Sequence, residues 1–375
     1  MRLAQGLVVL LFTVMLVPTA AGEHFDLSQI EYNIPPDTIG SIDDPEFESP
    51  DYLRAHDEVV GVAMIGSAHA YPLKVLRVHE VVNDVLAGVP IVVTYCSLCG
   101  TALVYERPRW NATPLLFHTS GLLYRNNKVL YDTATGSLWP QILGEAVNGT
   151  FHGTALRPIT ATRLSWADWR ADHTDSLVLA RPLPEWLIDY NSDSYEDICI
   201  RPLPEFPYCA ARGSYYATNY TVKAWRHPDY RLHPKAVVFG ISYGGVQVAY
   251  PLETLAALGV VNDFFGGAPL VITYFNGSVS AFFRGGRAFT AMESREMVDG
   301  GGAIFDRVSG NGPGISLERV RGLQALWFAW KDVWPETRIY GIDWPPSAFA
   351  RGAVAVSVAV ILMVATALVV RRKRP

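Results

Sequence analysis

Ala70-Tyr71-Pro72-Leu73 and the Val81-Val82-Asn83-Asp84 that follows it return, without a gap and 179 positions later, as Ala249-Tyr250-Pro251-Leu252 and Val260-Val261-Asn262-Asp263. The match extends outward on both sides. Val60-Gly61-Val62 stands against Phe239-Gly240-Ile241, Gly66 against Gly245, Gly88 and Pro90 against Gly267 and Pro269, and Thr94-Tyr95 against Thr273-Tyr274. At other offsets, Asp132 to Gly136 resembles Asp306 to Gly310, and Trp166 and Trp169 resemble Trp327 and Trp330. Self-similarity of this kind marks a duplicated structural unit. A first repeat is expected at 57–181 and a second, degenerate one at 234–346.

Each unit reads mainly as β-structure. Val59 to Ile65 is apolar and β-branched, Gly66-Ser67 turns the chain, and Ala68 to Tyr71 returns as a paired strand. Pro72 stands where proline is tolerated at a helix start, so Leu73 to Val78 is expected to make one or two helical turns. Val81 to Val85 and Ile91 to Tyr95 flank the turn signal Ala87-Gly88-Val89-Pro90 and predict a second hairpin. Ser165 precedes Trp166, Trp169 and His173 at helical spacing, with Asp168 in the first turn, and predicts a short helix. The expected class is α+β: two tandem repeats rich in antiparallel β-sheet with short helices, plus one C-terminal transmembrane helix.

The chain ends carry that last expectation. Arg2, the apolar Leu7 to Val17 and the small residues of Pro18-Thr19-Ala20-Ala21-Gly22 read as a signal peptide over 1–22. Gly352 to Val370 is an uncharged run of 19 residues, roughly 28 Å as a helix, close to the hydrocarbon thickness. The basic tail 371–375 predicts a cytoplasmic C-terminus, and hence a single-pass location in the cell membrane with the ectodomain outside. The membrane is the one partner this predicts. Between the end segments, 25 cations face 36 anions, a net of −11. Such a balance argues against nucleic acid, whose binding needs clustered cations. Asn111, Asn148, Asn219 and Asn276 open Asn-x-Ser/Thr triplets and are candidate glycan acceptors in an exported chain.

Residues 23–56 form an acidic, proline-bearing lead-in that is expected to run extended over the surface. Residues 182–233 form a linker or ordered insertion, rich in Pro, Tyr and Asp, without a sustained period. Cys199 and Cys209 lie within it and are expected to pair as a local disulfide in an oxidising compartment.

The two halves act as controls for one another. Where copy one has His79, Glu80, Cys96 and Cys99, the gapless match gives Leu258, Gly259, Phe275 and Ser278 in copy two. Chemistry is therefore expected in copy one. Tyr95-Cys96-Ser97-Leu98-Cys99-Gly100 leaves one predicted strand and, through Thr101 to Tyr105, enters another. A thioredoxin-type pair opens a helix, whereas a knuckle between strands presents two thiolates to one metal in rubredoxin-like and zinc-ribbon sites. Three readings of the pair stand: a metal site, a redox-active dithiol, and an inert disulfide or packed thiols. The metal reading takes Cys96, Cys99 and His79 as ligands and copper or zinc as the ion, since soft thiolates with imidazole favour those metals. Glu80, His69, His118 and Asp132 are weaker candidates for a fourth position. Tyr124, Trp139 and Gln141, with Glu80, His118 and Asp132, are candidate pocket residues. No nucleotide loop, zincin helix or Gly-x-Ser-x-Gly elbow is present.

On these residues the chain resembles the family known as domain of unknown function 3179, found in exported proteins of bacteria and archaea. The similarity rests on Ala70-Tyr71-Pro72-Leu73, His79-Glu80-Val81-Val82-Asn83-Asp84, Thr94-Tyr95-Cys96-Ser97-Leu98-Cys99-Gly100-Thr101, Ser120-Gly121-Leu122-Leu123-Tyr124, Tyr131-Asp132, and Gly136-Ser137-Leu138-Trp139. Arg231-Leu232-His233-Pro234-Lys235 is similar to the start of the family's second half. Ser97 replaces an expected proline, and His118-Thr119 replaces small or apolar residues. The resemblance implies no established activity. The functional expectation is a membrane-anchored extracytoplasmic metal-binding protein, with a thiol–disulfide oxidoreductase or a non-catalytic surface binding module as alternatives.

Overall fold

A glycine in the first strand of each repeat decides how its sheet is covered. In the computed structural model, which describes residues 27–183, 190, 215–217, 219 and 221–343, a Cβ added to Gly61 would lie 2.2 Å from the Trp169 ring, and one added to Gly240 would lie 2.2 Å from Trp330. Only a bare backbone lets the indole lie against the strand. The strands and helices around this contact follow the same order in both repeats. In the first, β1 (Glu58–Met64) pairs with β2 (Ser67–Pro72), α1 (Leu73–His79) follows, and β3 (Val81–Leu86), β4 (Val89–Cys96) and β5 (Thr101–Glu106) form a meander. A third sheet pairs β6 (Phe117–Tyr124) with β7 (Asn127–Asp132), and α2 (Trp166–Asp172) supplies the covering tryptophan.

The second repeat runs through β8 (Val237–Tyr243), β9 (Val246–Pro251), α3 (Leu252–Leu258), β10 (Val260–Phe265), β11 (Ala268–Phe275), β12 (Ser278–Phe283) and α4 (Trp327–Val333). Strand pairing among the described residues is antiparallel except where Leu177–Leu179 joins β2 and Arg338–Ile339 joins β9 in parallel, with one further parallel bridge between Ile42 and Val82. The largest apolar cluster belongs to both repeats: Val81, Tyr105, Phe117 and Trp139 pack with Val238, Trp327, Trp330 and Ile339.

Two expectations are corrected. The class is mainly β rather than α+β: the four α-helices among the described residues have seven residues each, and the sheets carry the core. Seven residues rise roughly 10 Å, a third of a bilayer's hydrocarbon core, and among the described residues no helix is long and apolar enough to cross a membrane. The single-span membrane partner and the single-pass location therefore have no support among those residues. The segments from which they were read, 1–22 and 352–375, lie outside them, as do Cys199 and Cys209.

The gapless match also needs a correction at the knuckle. Phe275 pairs directly with Ser278 across the two-residue turn Asn276-Gly277, whereas Cys96 pairs with Thr101 across four residues. The hydrogen bonds agree: Thr94 Oγ1 donates to Leu103 O at 2.8 Å, and its counterpart Thr273 donates to Ser280 O at 3.3 Å. Ser278 is thus the counterpart of Thr101. Copy one carries two additional residues, and Cys99 has no counterpart.

Candidate functional site

The longer loop is built to close on itself. Gly100 takes a φ of 67°, open to glycine at little cost, and its N–H donates to Cys96 O at 2.8 Å. This brings Cys96 and Cys99 together as a disulfide with Cα atoms 5.5 Å apart. Both residues are almost fully enclosed, at 1% and 0% exposure. The expected metal centre is corrected by three observations. The two sulfurs are bonded to each other. The His79 ring is engaged elsewhere, its Nδ1 donating to Gly40 O at 3.0 Å and its Nε2 lying 3.2 Å from the Tyr190 hydroxyl. Among the described residues, no group of three or more His, Cys, Asp or Glu side chains is placed to hold a metal ion. Burial lowers the pKa of His79 and favours the neutral ring. It is a satisfied structural histidine.

A polar chain runs from Cys99 into the core. Cys99 Sγ lies 3.2 Å from Thr101 Oγ1, which donates to Gln141 Oε1 at 3.0 Å, and Gln141 Nε2 donates to Thr94 Oγ1 at 2.9 Å. On the Cys96 side, a cavity of about 40 Å³ is lined by Cys96, Glu80, Lys128, Leu123, Ile34 and Ile39, room for about one or two waters. Glu80 and Lys128 form an ion pair there, both side chains less than a tenth exposed. The Ser97 N–H lies 3.5 Å from Glu80 Oε1. Glu80 holds φ at 57° in the left-handed region at the end of α1, where copy two has Gly259 at 68°. The positions are equivalent, since Tyr95 N–H donates to Glu80 O and Tyr274 N–H to Gly259 O, each at 2.8 Å. A carboxylate kept where its twin uses glycine is local strain of the kind found at functional sites. In copy two the space is filled: the Arg307 guanidinium covers the Phe275 ring at 5.1 Å and donates to Tyr274 O at 3.1 Å.

The roof comes from outside the first repeat. Cys96, Leu98 and Cys99 pack with Tyr215, Leu326 and Phe328, and Leu326 N–H donates to Cys99 O at 2.8 Å. Tyr215 and Tyr216, in the segment expected to be a linker, donate to Leu98 O and Ser97 O at 3.0 and 2.8 Å. Lys235 stands against the same cluster, its Nζ 3.3 Å from the Tyr215 ring centre and 4.4 Å from that of Phe328. It is 6% exposed, and its Nζ has no hydrogen-bond partner among the described residues. Burial pushes the ammonium down to about 7.

The lead-in straps the cavity. Asn33 and Ile34 N–H donate to Gly121 O at 3.0 and 3.1 Å, and Asp37 N–H donates to Thr119 O at 3.0 Å. Gly121 is required, because a Cβ there would lie 1.9 Å from Ile34 O. His118 clamps the strap, with Nδ1 3.1 Å from Asp37 and Nε2 2.9 Å from Asp43. The Asp43 hydrogen bond raises the pKa of His118 more than burial lowers it. For Asp43, burial pushes upward, but the hydrogen bonds from His118 and Asn83 outweigh it and leave the carboxyl below its ordinary value.

Of the residues singled out from sequence, the fold gathers Cys96, Cys99, Glu80 and Gln141. Others are structural. Asp132 accepts from Thr135 N–H at 2.7 Å and from Trp139 Nε1 at 3.1 Å, closing a loop as Asp306 does in copy two through Ser309 N–H at 2.6 Å. Trp139 and Tyr124 belong to the central apolar cluster. His69 Nδ1 lies 2.8 Å from Asp84 Oδ2, away from the knuckle. Asn111, Asn148, Asn219 and Asn276 are all exposed. Lys128, Lys235 and Thr101 were missed. Lys128 counts back to Gly302 from the Asp132 and Asp306 match, so comparison of the copies marks it as it marks Glu80.

A family model described as "Protein of unknown function (DUF3179)" matches residues 36–337. No curated protein matches, and no solved structure does.

Proposed function

The chain belongs to the DUF3179 family, and from the site it carries we propose a thiol–disulfide exchange protein whose redox pair is Cys96–Cys99. One observation carries this reading: the bridge lies in a hairpin whose twin forms without one, Phe275 pairing with Ser278 with no crosslink. Closing so short a loop restricts the unfolded chain little, worth about 2 kcal/mol on the loop-entropy account. The loop is also already held by the Gly100 to Cys96 hydrogen bond and by the Cys96 and Thr101 pairing. A bridge that contributes so little to the fold is better explained by its chemistry.

In this reading the strap must first lift, since the cavity beneath it has room for only about one or two waters, and a substrate thiolate then attacks Cys96 Sγ. A bond forms between the substrate sulfur and Cys96, the Cys96–Cys99 bond breaks, and Cys99 leaves as a thiolate. Thr101 turns its hydroxyl from Gln141 towards that sulfur, and the Lys235 ammonium supplies a nearby positive charge in a water-poor setting. The substrate's second thiolate then attacks the mixed disulfide and releases Cys96 as a thiolate. The substrate dithiol is oxidised by two electrons and the protein disulfide is reduced by two. Trapping free thiols in buffers of defined redox poise tests it. The pair should reduce reversibly above about −300 mV, where structural bonds stay closed. A pair that stays oxidised down to that poise overturns the reading.

The near-complete burial of both cysteines favours a second reading, a non-catalytic surface module with a stapled loop. There, Cys96→Ser with Cys99→Ser would cost clearly more than the about 2 kcal/mol of loop entropy.

A further inference from the structure

The repeats meet along a seam where equivalent strands lie side by side and one carries charge that the other lacks. Pro158 pairs with Tyr105 on β5, and Arg319 bridges Phe282 on β12. The strands that follow, Thr162–Ser165 and Leu323–Leu326, pair with β1 and β8. Residues 158–161 and 319–322 are therefore counterparts. Where the first repeat has Pro158 and Thr160, the second has Arg319 and Arg321. Between them lies a cavity of about 170 Å³, lined by both segments and by Arg163, Ser280 and Gln324.

The charges in this cleft are not alike. Arg163 is neutralised, its Nε and Nη2 donating to the two Glu58 oxygens at 2.9 and 2.8 Å. Arg319 and Arg321 have only neutral partners among the described residues. Arg319 donates to Ser280 Oγ at 2.8 Å and Val308 O at 2.5 Å, and Arg321 donates to Tyr105 Oη at 3.0 Å. Each guanidinium rests on the aromatic ring that its own repeat or its neighbour offers at the same position, Arg319 on Phe282 at 4.9 Å and Arg321 on Tyr105 at 5.4 Å. Asp306, the carboxylate whose field reaches Arg319, is already paired with Arg295 at 2.7 Å. Each guanidinium has five N–H donors, so several remain for a ligand.

We propose that this seam is a binding site for a small organic carboxylate, held by Arg319 and Arg321 with its apolar body against Leu103, Val279 and Ala281. The anion is set by two uncompensated, ring-supported guanidinium groups, whose planar forks suit a carboxylate. The size is set by the cavity, close to the roughly 150 Å³ that accommodates benzene. Burial lowers Arg319 to about 10, so it remains cationic at neutral pH. The site is independent of the cysteine pair and of the exchange reading.

Calorimetric titration of the full chain with benzoate, and with uncharged benzamide as its isostere, tests the proposal. Benzoate should bind one to one, at least about tenfold tighter than benzamide, and more weakly as salt screens the charges. Arg321→Gln, at an exposed position where folding is checked by circular dichroism, should weaken benzoate by about tenfold or more. Cys96→Ser with Cys99→Ser should leave it unchanged. Equal binding of benzoate and benzamide, binding of neither, or full affinity in Arg321→Gln overturns the proposal.

Discussion

Glu80 shows how much one backbone angle reveals about a residue. Its φ of 57° costs an ordinary side chain about 1–2 kcal/mol, and the twin position avoids this with Gly259. Glu80→Gly removes that cost but leaves the Lys128 ammonium buried without its carboxylate. The expected net effect is a loss of about 1–4 kcal/mol, since a broken buried pair costs about 3–5. Glu80→Gly with Lys128→Met should regain most of it. Denaturant unfolding of both variants checks this, and a single variant as stable as the wild type would show that the pair contributes nothing. From sequence, Glu80 and the cysteines were legible because copy two lacks them. Lys235 was not, because its isolation is a matter of what surrounds it: an apolar cage assembled from Tyr215 and Phe328, far apart in the chain.

The strap is an element whose hold depends on proton balance. His118 faces Asp37 and Asp43 from the lead-in, Tyr131 donates to Asp37 Oδ2 at 2.6 Å, and the Arg107 charge bears on Asp43. The pKa of His118 is raised in the folded state, its hydrogen bond to Asp43 being the main cause. Its stabilisation is therefore fully present below about 6.5, the unfolded value, and is lost as pH rises through the raised folded value. Amide protection factors at Asn33, Ile34 and Asp37 are expected to fall between pH 6 and 9, by about tenfold for each unit by which His118 is raised. In His118→Gln they should be flat over that range, and a wild-type profile equally flat would remove the clamp. The hairpins and proline-led helices were readable from local pattern. The strap's path was not, because it follows backbone hydrogen bonds to Gly121 and Thr119 that no periodicity records.

At the scale of the molecule, the duplication gives two copies of one plan, each with an apolar cluster of its own and a larger one shared between them. The central cluster takes Trp139 from one repeat and Trp327 and Trp330 from the other, and Arg125 donates to Asp332 O and Val333 O at 3.2 Å across the join. Part of each half's apolar surface is thus buried only by the other. Oxidised protein is expected to unfold in one cooperative step, with tryptophan fluorescence and far-ultraviolet circular dichroism giving the same midpoint. Separate midpoints would mean that the repeats are energetically independent. The repeat was legible because duplication preserves residue order. Its division of labour was not, because the roof over Cys96 and Cys99 is built by Leu326 and Phe328 of the degenerate copy.

The two added residues at the first knuckle make the site a modular graft. The host strands on either side of the Asn276-Gly277 turn already keep the register that the first repeat uses. Replacing Phe275-Asn276-Gly277 by the sequence of Cys96 to Gly100, with Arg307 trimmed to empty the occupied socket, would make a protein with two such sites, one of them newly engineered beside its natural prototype.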